Sequence, residues 1–174
     1  MAKDKKHNTE IVTKPQWFDG ESVTIPMLQI LKEDGSFHQG ADMPEYDKNL
    51  IVKIHDTMQF IRTLDERMIA AQRQGRISFY LASRGEEAES VASAAALDSG
   101  DMIMGQYREQ GALAYRGFTV EQFMNQLFSN EKDLGKGRQM PVHYGCAELN
   151  FMTISSPLGT QIPQATGYAF GQKM

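Results

Sequence analysis

The chain has a single cysteine, Cys146, in 174 residues. That excludes an internal disulfide and fits a reducing compartment. Long hydrophobic runs are also missing. No stretch approaches the ~20 apolar residues of a membrane span, and no apolar segment follows Met1. Positive charge is scarce: 18 Lys and Arg stand against 22 Asp and Glu, and the only basic cluster is Lys3–Lys6. This balance argues against nucleic acid as a partner and against docking on an anionic membrane. The first residues mix acidic with basic side chains and are not rich in Arg and Ser, so no transit peptide is expected and the cytoplasm is the expected location. His7, His38, His55 and His143 are scattered, and none has zinc-site spacing with Cys146. There is no internal repeat and no low-complexity tract.

With 41% hydrophobic residues, the chain has enough apolar material for one core. Residues 1–45 read as an N-terminal arm with a small hairpin. Residues 1–22 are polar and mixed around Trp17-Phe18, Met27–Leu31 alternates, and Glu33-Asp34-Gly35 supplies turn chemistry before Phe37. Gly40–Pro44 reads as a linker. From Asp47 the period becomes helical: Ile51, Ile54, Met58, Ile61, Leu64 and Met68 share one face, and Gly75 ends the helix. Ser83-Arg-Gly-Glu86 has the form of a capping box, opening a helix whose small side chains Ala88, Val91, Ala92, Ala95 and Ala96 predict burial. Thr119-Val-Glu-Gln122 is a second capping box, with Val120, Phe123, Met124, Leu127 and Phe128 facing inward.

Met102–Met104 predicts a short buried strand, and Phe151–Ile154 a second one. The second runs into Ser155-Ser-Pro-Leu-Gly-Thr-Gln161, where Pro157 bends the chain out of any ladder. A helix of small residues follows (Ala165, Gly167, Ala169, Gly171). Strand, polar turn and helix make half of a βαβ unit, with the turn at the strand's carboxyl end, where open α/β sheets place their ligands. The turn is rich in hydroxyls and amides. Its plainer reading is a strand-to-helix loop with Ser and Thr caps. The C-terminal Tyr168–Met174 stops while the helical pattern is still running, so the chain reads as a piece of a longer protein.

Gln106-Tyr107-Arg108-Glu109 concentrates polar groups just past the first strand. A guanidinium there offers a planar fork for phosphate oxygens; the alternative is a surface Arg–Glu pair. Gly135-Lys-Gly137 lacks the spacing of a nucleotide phosphate loop, and no strand leads into it. It lies in a long irregular segment, residues 132–145, of a kind that is usually functional or disordered. His143 in the same segment is a candidate general acid or base, although a lone loop histidine is more often structural. Phe79-Tyr80 would line an apolar substrate pocket or pack in the core.

Several long segments in order carry a resemblance to a known family: Gln72–Tyr80, Gly85-Glu-Glu87, Ser93–Asp98, Gly105–Glu109, Asp133–Gly145 and Thr153–Gln164. They resemble the α subunit of the thiamine-diphosphate-dependent decarboxylating component of 2-oxo acid dehydrogenase complexes, in its branched-chain (2-oxoisovalerate) type. The resemblance covers roughly residues 46–174 and implies an α/β thiamine-diphosphate-binding fold, a parallel sheet flanked by helices, of which this chain would hold the first part. It implies cofactor contacts at Gln106, Tyr107, Arg108, Ser156 and Leu158, and a substrate pocket bordered by Phe79. It also implies a potassium ion held at Ser155, Pro157, Thr160 and Gln161. The family's Gly-Asp-Gly…Asn motif for magnesium and diphosphate, its catalytic histidine and its regulated serine loop would follow beyond Met174. The cofactor-activating glutamate would come from a β subunit.

The implied activity is oxidative decarboxylation of branched 2-oxo acids, with transfer of the acyl group to a lipoyl-bearing acyltransferase component, in an α2β2 heterotetramer. The alternatives are pyruvate or acetoin as substrate, or a truncated assembly module without catalysis.

Overall fold

Asp47 opens the longest helix, α1 (Lys48–Arg73). Its carboxylate accepts from Leu50 N at 3.1 Å, satisfying one of the donors a helix start leaves orphaned. Gly75, at φ +72°, follows the C-cap Gln74 and takes a left-handed turn that a side chain would oppose. The expected stripe is buried only from Ile61 onward, through Leu64, Met68 and Ala71; Ile51 is exposed, and Ile54 and Met58 are half-buried. One charged residue lies inside the buried part of the helix, Asp65, at 4% exposure.

This computed structural model describes residues 13–15, 17, 19–22, 24–42 and 45–174. The chain divides into two compact units, Met1–Glu45 and Tyr46–Met174. Most of the arm expected over residues 1–22 lies outside the described residues, as do Met43 and Pro44 of the linker. In the first unit, Leu31 and Phe37 form an antiparallel bridge, closed by Lys32 N to Ser36 O at 2.8 Å and His38 N to Ile30 O at 3.0 Å. The Asp34 carboxylate accepts from Ser36 N and Oγ, and Gly35 takes φ +80°. The hairpin is made by that turn chemistry.

Beyond α1 come α2 (Glu87–Ala95), α3 (Gln110–Tyr115), α4 (Val120–Leu127) and α5 (Gln161–Lys173). Helices α1, α2 and α3 pack on one another. The contact is close where Gly111 of α3 meets α2: a Cβ there would lie 2.3 Å from Ser90 Oγ. The buried face of α2 is Ser90, Val91 and Ala94. Ala88, Ala92 and Ala96, expected inside, are exposed because the helix turns its Ser90 face toward Gly111.

Ser83-Arg-Gly-Glu86 is not a capping box. Glu86 holds the N-cap position without a side-chain bond, and the Ser83 hydroxyl is taken by Asp65. The second capping box forms as expected: Gln122 N donates to Thr119 Oγ1 at 3.2 Å, and Thr119 N donates to Gln122 Oε1 at 2.8 Å. It directs Phe123 and Leu127 inward, whereas Val120 and Phe128 remain exposed.

The core is aromatic at its centre. Phe123 meets Phe118 and Tyr144 edge-on, with ring centroids 4.8 and 5.0 Å apart. Phe151 and Ile154 bury beside them.

The expected strands are reduced to single pairings among the described residues: a parallel bridge between Ile103 and Phe151 and an antiparallel one between Cys146 and Phe151. Phe151 exchanges both backbone bonds with Cys146 at 3.0 Å, while Asn150 O and Met152 N bond Ile103 on the other side. The chain then turns at Tyr107–Arg108 and from Pro157, so neither pairing extends into a ladder. Met102, Ile103 and Met104, expected to be buried, are half-buried. Helix α5 follows Thr160 as expected and buries none of its residues.

Candidate functional site

The parallel bridge has one main consequence for function. It brings two turns, residues 105–109 and 155–160, out from the carboxyl ends of paired segments. Gln161 ties them together: its Nε2 donates to Ser155 O at 2.9 Å and reaches Gly105 O at 3.4 Å. Gly105 is required by space, since a Cβ would sit 2.9 Å from Phe151 Cζ.

The first turn is closed by its own polar groups. Gln106 N donates to Glu109 Oε2 at 2.8 Å, and Glu109 N to Gln106 O at 3.0 Å. Tyr107 packs, half-buried, against the core. Arg108 is half-buried too, and its Nη1 donates to the carbonyl oxygen of Ala82. Glu109, the acid expected to pair with it in the plainer reading, bonds Gln106 N instead. Arg108 takes part in none of the ion pairs among the described residues. The Tyr107 ring centre lies 5.9 Å from its guanidinium carbon. A half-buried guanidinium with only neutral neighbours and one hydrogen bond keeps donors and positive charge for an anion.

Behind Arg108 lies a buried network that the sequence does not announce. Asp65 Oδ1 accepts from Tyr80 Oη at 2.6 Å and Gln110 Nε2 at 3.1 Å. Its Oδ2 accepts from Ser83 N at 2.8 Å and Ser83 Oγ at 3.2 Å. Gln110 Nε2 also reaches Leu81 O at 3.4 Å. Four donors on one carboxylate fix residues 80–83, the segment that presents the Ala82 carbonyl.

Burial raises the Tyr80 phenol far above its ordinary value near 10, with the nearby Tyr144 and Asp65 adding to the effect. Burial, with Asp65 second, raises Tyr144 in the same direction. Unfolded tyrosines release protons near pH 10 while these two retain theirs. Stability is therefore fully present below pH 10 and falls as pH rises above it, by about 1.4 kcal/mol per pH unit for each tyrosine. Denaturant unfolding between pH 8 and 11 checks this, and Tyr80→Phe is expected to reduce the slope.

In the second turn the hydroxyls are mutually engaged. Thr160 Oγ1 donates to Pro157 O at 2.9 Å, which leaves Ser155 Oγ as donor to Thr160 Oγ1, also at 2.9 Å. Ser155 O, Pro157 O and the two hydroxyls form a group of oxygens closed by the Gln161 amide. That donor chemistry suits a hard, weakly hydrated cation. Pro157 and Leu158 are exposed, Leu158 at 73%.

Ser156 bonds the Nε2 of His143, a buried side chain whose Nδ1 lies 3.1 Å from Pro141 O. A carbonyl can only accept, so Nδ1 donates to Pro141 O, and in the neutral ring Nε2 then accepts from the Ser156 hydroxyl. Both ring nitrogens are thereby occupied.

Phe79 is half-buried and packs on the core. The 132–145 segment is ordered around Asp133, whose carboxylate accepts from Gly135 N at 3.1 Å and Gly137 N at 2.8 Å. Gly135-Lys-Gly137 thus wraps a carboxylate of its own chain. At the end of the segment, Gln126 Oε1 accepts from Val142 N at 3.0 Å and its Nε2 donates to Met140 O at 2.8 Å, which holds the backbone beside His143. Among the described residues, no three His, Cys, Asp or Glu side chains are grouped to hold a metal ion, and no helix is long and apolar enough to cross a membrane.

One parallel pairing thus carries two polar turns, one holding a half-buried guanidinium outside any ion pair and one rich in oxygens. Residues 55–174 match the family described as "Dehydrogenase E1 component", and the chain belongs to it. It is 49% identical over 156 residues to "2-oxoisovalerate dehydrogenase subunit alpha 1, mitochondrial" of Arabidopsis thaliana, covering 90% of this chain and 33% of that one. It is 46% identical over 167 residues to the Homo sapiens "2-oxoisovalerate dehydrogenase subunit alpha, mitochondrial", covering 95% of this chain and 38% of the relative. The protein of the same name from Caenorhabditis elegans is 48% identical over 155 residues, covering 88% of this chain and 36% of the relative. The chain spans about a third of the length of these curated relatives.

Proposed function

We propose that this chain supplies one half of a thiamine-diphosphate site in the decarboxylating component of a branched-chain 2-oxo acid dehydrogenase complex. The observation that carries the reading is the Arg108 guanidinium, half-buried and without a carboxylate partner, in a turn that Gln161 ties to the 155–160 turn in a chain of this family. Arg108 and the Tyr107 hydroxyl would receive the diphosphate, with Gln106 beside them. Ser156 and the Leu158 backbone would hold the aminopyrimidine. His143, accepting from Ser156, then serves to orient that hydroxyl rather than to move a substrate proton. When bound, thiamine diphosphate supplies a nucleophilic carbon and an electron sink for the loss of carbon dioxide.

Potassium is proposed among the oxygens of Ser155, Pro157, Thr160 and Gln161, where it would replace the present hydroxyl-to-hydroxyl bonding. Magnesium is proposed to take its protein ligands from outside these 174 residues, in keeping with the absence of a Gly-Asp-Gly sequence within them. Phe79 is proposed at the border of the substrate pocket. The one parallel bridge among the described residues is compatible with a larger parallel sheet flanked by helices. The partners proposed are a β subunit, in an α2β2 heterotetramer, and a lipoyl-bearing acyltransferase; neither nucleic acid nor membrane is among them. The reducing compartment read from the one cysteine is proposed to be the cytoplasm, while the three relatives are named as mitochondrial proteins.

Pyruvate and acetoin have no observation in their favour, because the relatives are named for 2-oxoisovalerate. Nothing in the site favours a non-catalytic assembly module. The full-length chain assembled with its β partner is expected to show a higher kcat/KM on 2-oxoisovalerate than on pyruvate. Steady-state rates on the two acids decide it, and the reverse order overturns the substrate assignment.

A further inference from the structure

Arg108 does not hold itself in place. Among the described residues its one hydrogen-bond partner is the carbonyl of Ala82, in a segment with no regular secondary structure, and its guanidinium carbon lies 5.9 Å from the centre of the neighbouring Tyr107 ring. A carbonyl in such a segment orients a guanidinium only if something else fixes the segment. Asp65 is placed to do so. It is 4% exposed, and its neighbours in the network, Ser83 and Gln110, are fully buried. Its two oxygens hold the segment on both sides of Ala82, through the Tyr80 hydroxyl at 2.6 Å and through Ser83 N at 2.8 Å and Oγ at 3.2 Å. A third tie comes from the Arg108 side of the ring: Gln110, two residues on, donates to Asp65 Oδ1 at 3.1 Å and to Leu81 O at 3.4 Å. The connections therefore close on themselves, from α1 to residues 80–83, to Arg108, to Gln110 and back to α1.

We infer that Asp65 is a positioning residue for cofactor binding, holding the Ala82 carbonyl that in turn aims Arg108 at the diphosphate. The inference rests on the proposed diphosphate role of Arg108. Asp65 itself touches neither cofactor nor substrate. Its part is to restrict Arg108 before the anion arrives, so that less side-chain freedom is lost on binding. The shape of residue 65 is not enough for this. In Asp65→Asn an amide nitrogen would take one of the two oxygen positions, and either Ser83 N–H or the Gln110 amide nitrogen would face another donor.

The test is a double-mutant cycle on the full-length chain assembled with its β partner at saturating magnesium, with thiamine diphosphate affinity read by calorimetry. Asp65→Asn is expected to weaken binding about tenfold when Arg108 is present, and less than about twofold in the Arg108→Ala background. Equal losses in the two backgrounds overturn the inference, because a residue that only stabilises the fold has no reason to act through Arg108. Should Asp65→Asn fail to assemble, Ser83→Ala removes one donor and leaves the backbone bond. A loss of about twofold to threefold that disappears without Arg108 upholds the inference, and an equal loss in both backgrounds refutes it. An unchanged affinity in Arg108→Ala alone has a separate meaning: it removes the diphosphate reading, and with it the premise of this inference.

Discussion

Asp65→Ala is expected to lower stability by about 3–5 kcal/mol. The substitution strips the acceptor from the Tyr80 hydroxyl, the Gln110 amide, and the Ser83 N–H and hydroxyl, all in buried surroundings. Each buried donor left unpaired costs roughly 1–3 kcal/mol, and the losses are less than additive because the pocket relaxes and admits water. Against a total stability of roughly 5–15 kcal/mol this is a large share. Because the shift per kcal/mol shrinks as the folded unit grows, the apparent melting temperature of the assembled protein is expected to drop by about 3–5 °C. A midpoint within a degree or two of the unsubstituted protein would show that the network is decorative.

The second large effect concerns residues 1–174 on their own, which are expected neither to bind thiamine diphosphate at micromolar concentration nor to decarboxylate a 2-oxo acid. A diphosphate carries at least two negative charges, and one guanidinium offsets only part of them; the remainder calls for a divalent cation. The described residues hold no cluster of carboxylates grouped for one. Helix α5 adds a second obstacle, since Ile162 is 74% and Phe170 64% exposed, and Leu158 in the preceding turn is exposed as well. Apolar side chains open to water over one helix favour self-association. Calorimetry on the 174-residue chain with magnesium, potassium and cofactor tests this. A micromolar dissociation constant without a partner chain would mean that Arg108 and the 155–161 turn suffice, and that the site is not divided.

The parts of this molecule that are legible in its sequence are those governed by neighbours along the chain. The period of Ile61, Leu64 and Met68, the glycine stop at Gly75, the Thr119–Gln122 box and the turn at Asp34-Gly35 all act over a few residues. Helix α3 is six residues long, too short to show a period. Asp65 is the clearest omission. A carboxylate in an amphipathic helix reads as part of the polar face, and its partners stand 15, 18 and 45 residues away in sequence. The same distance effect misleads at Ser83, whose local pattern predicts a cap but whose hydroxyl goes to Asp65 instead. The exposed alanines of α2 show the converse: small side chains permit close packing, yet it is Gly111 that decides which face is used. At the site, the residue types at Arg108 and Ser155–Gln161 are plain in the sequence. The bridge and the Gln161 bonds that join the two turns exist only in three dimensions.

The central claim is that Arg108 receives the cofactor's diphosphate. The direct measurement is calorimetric titration of thiamine diphosphate into the assembled heteromer at saturating magnesium, comparing Arg108 with Arg108→Ala. One charge-assisted contact of about 1.5–3 kcal/mol predicts affinity weakened more than tenfold. An unchanged dissociation constant would contradict the account.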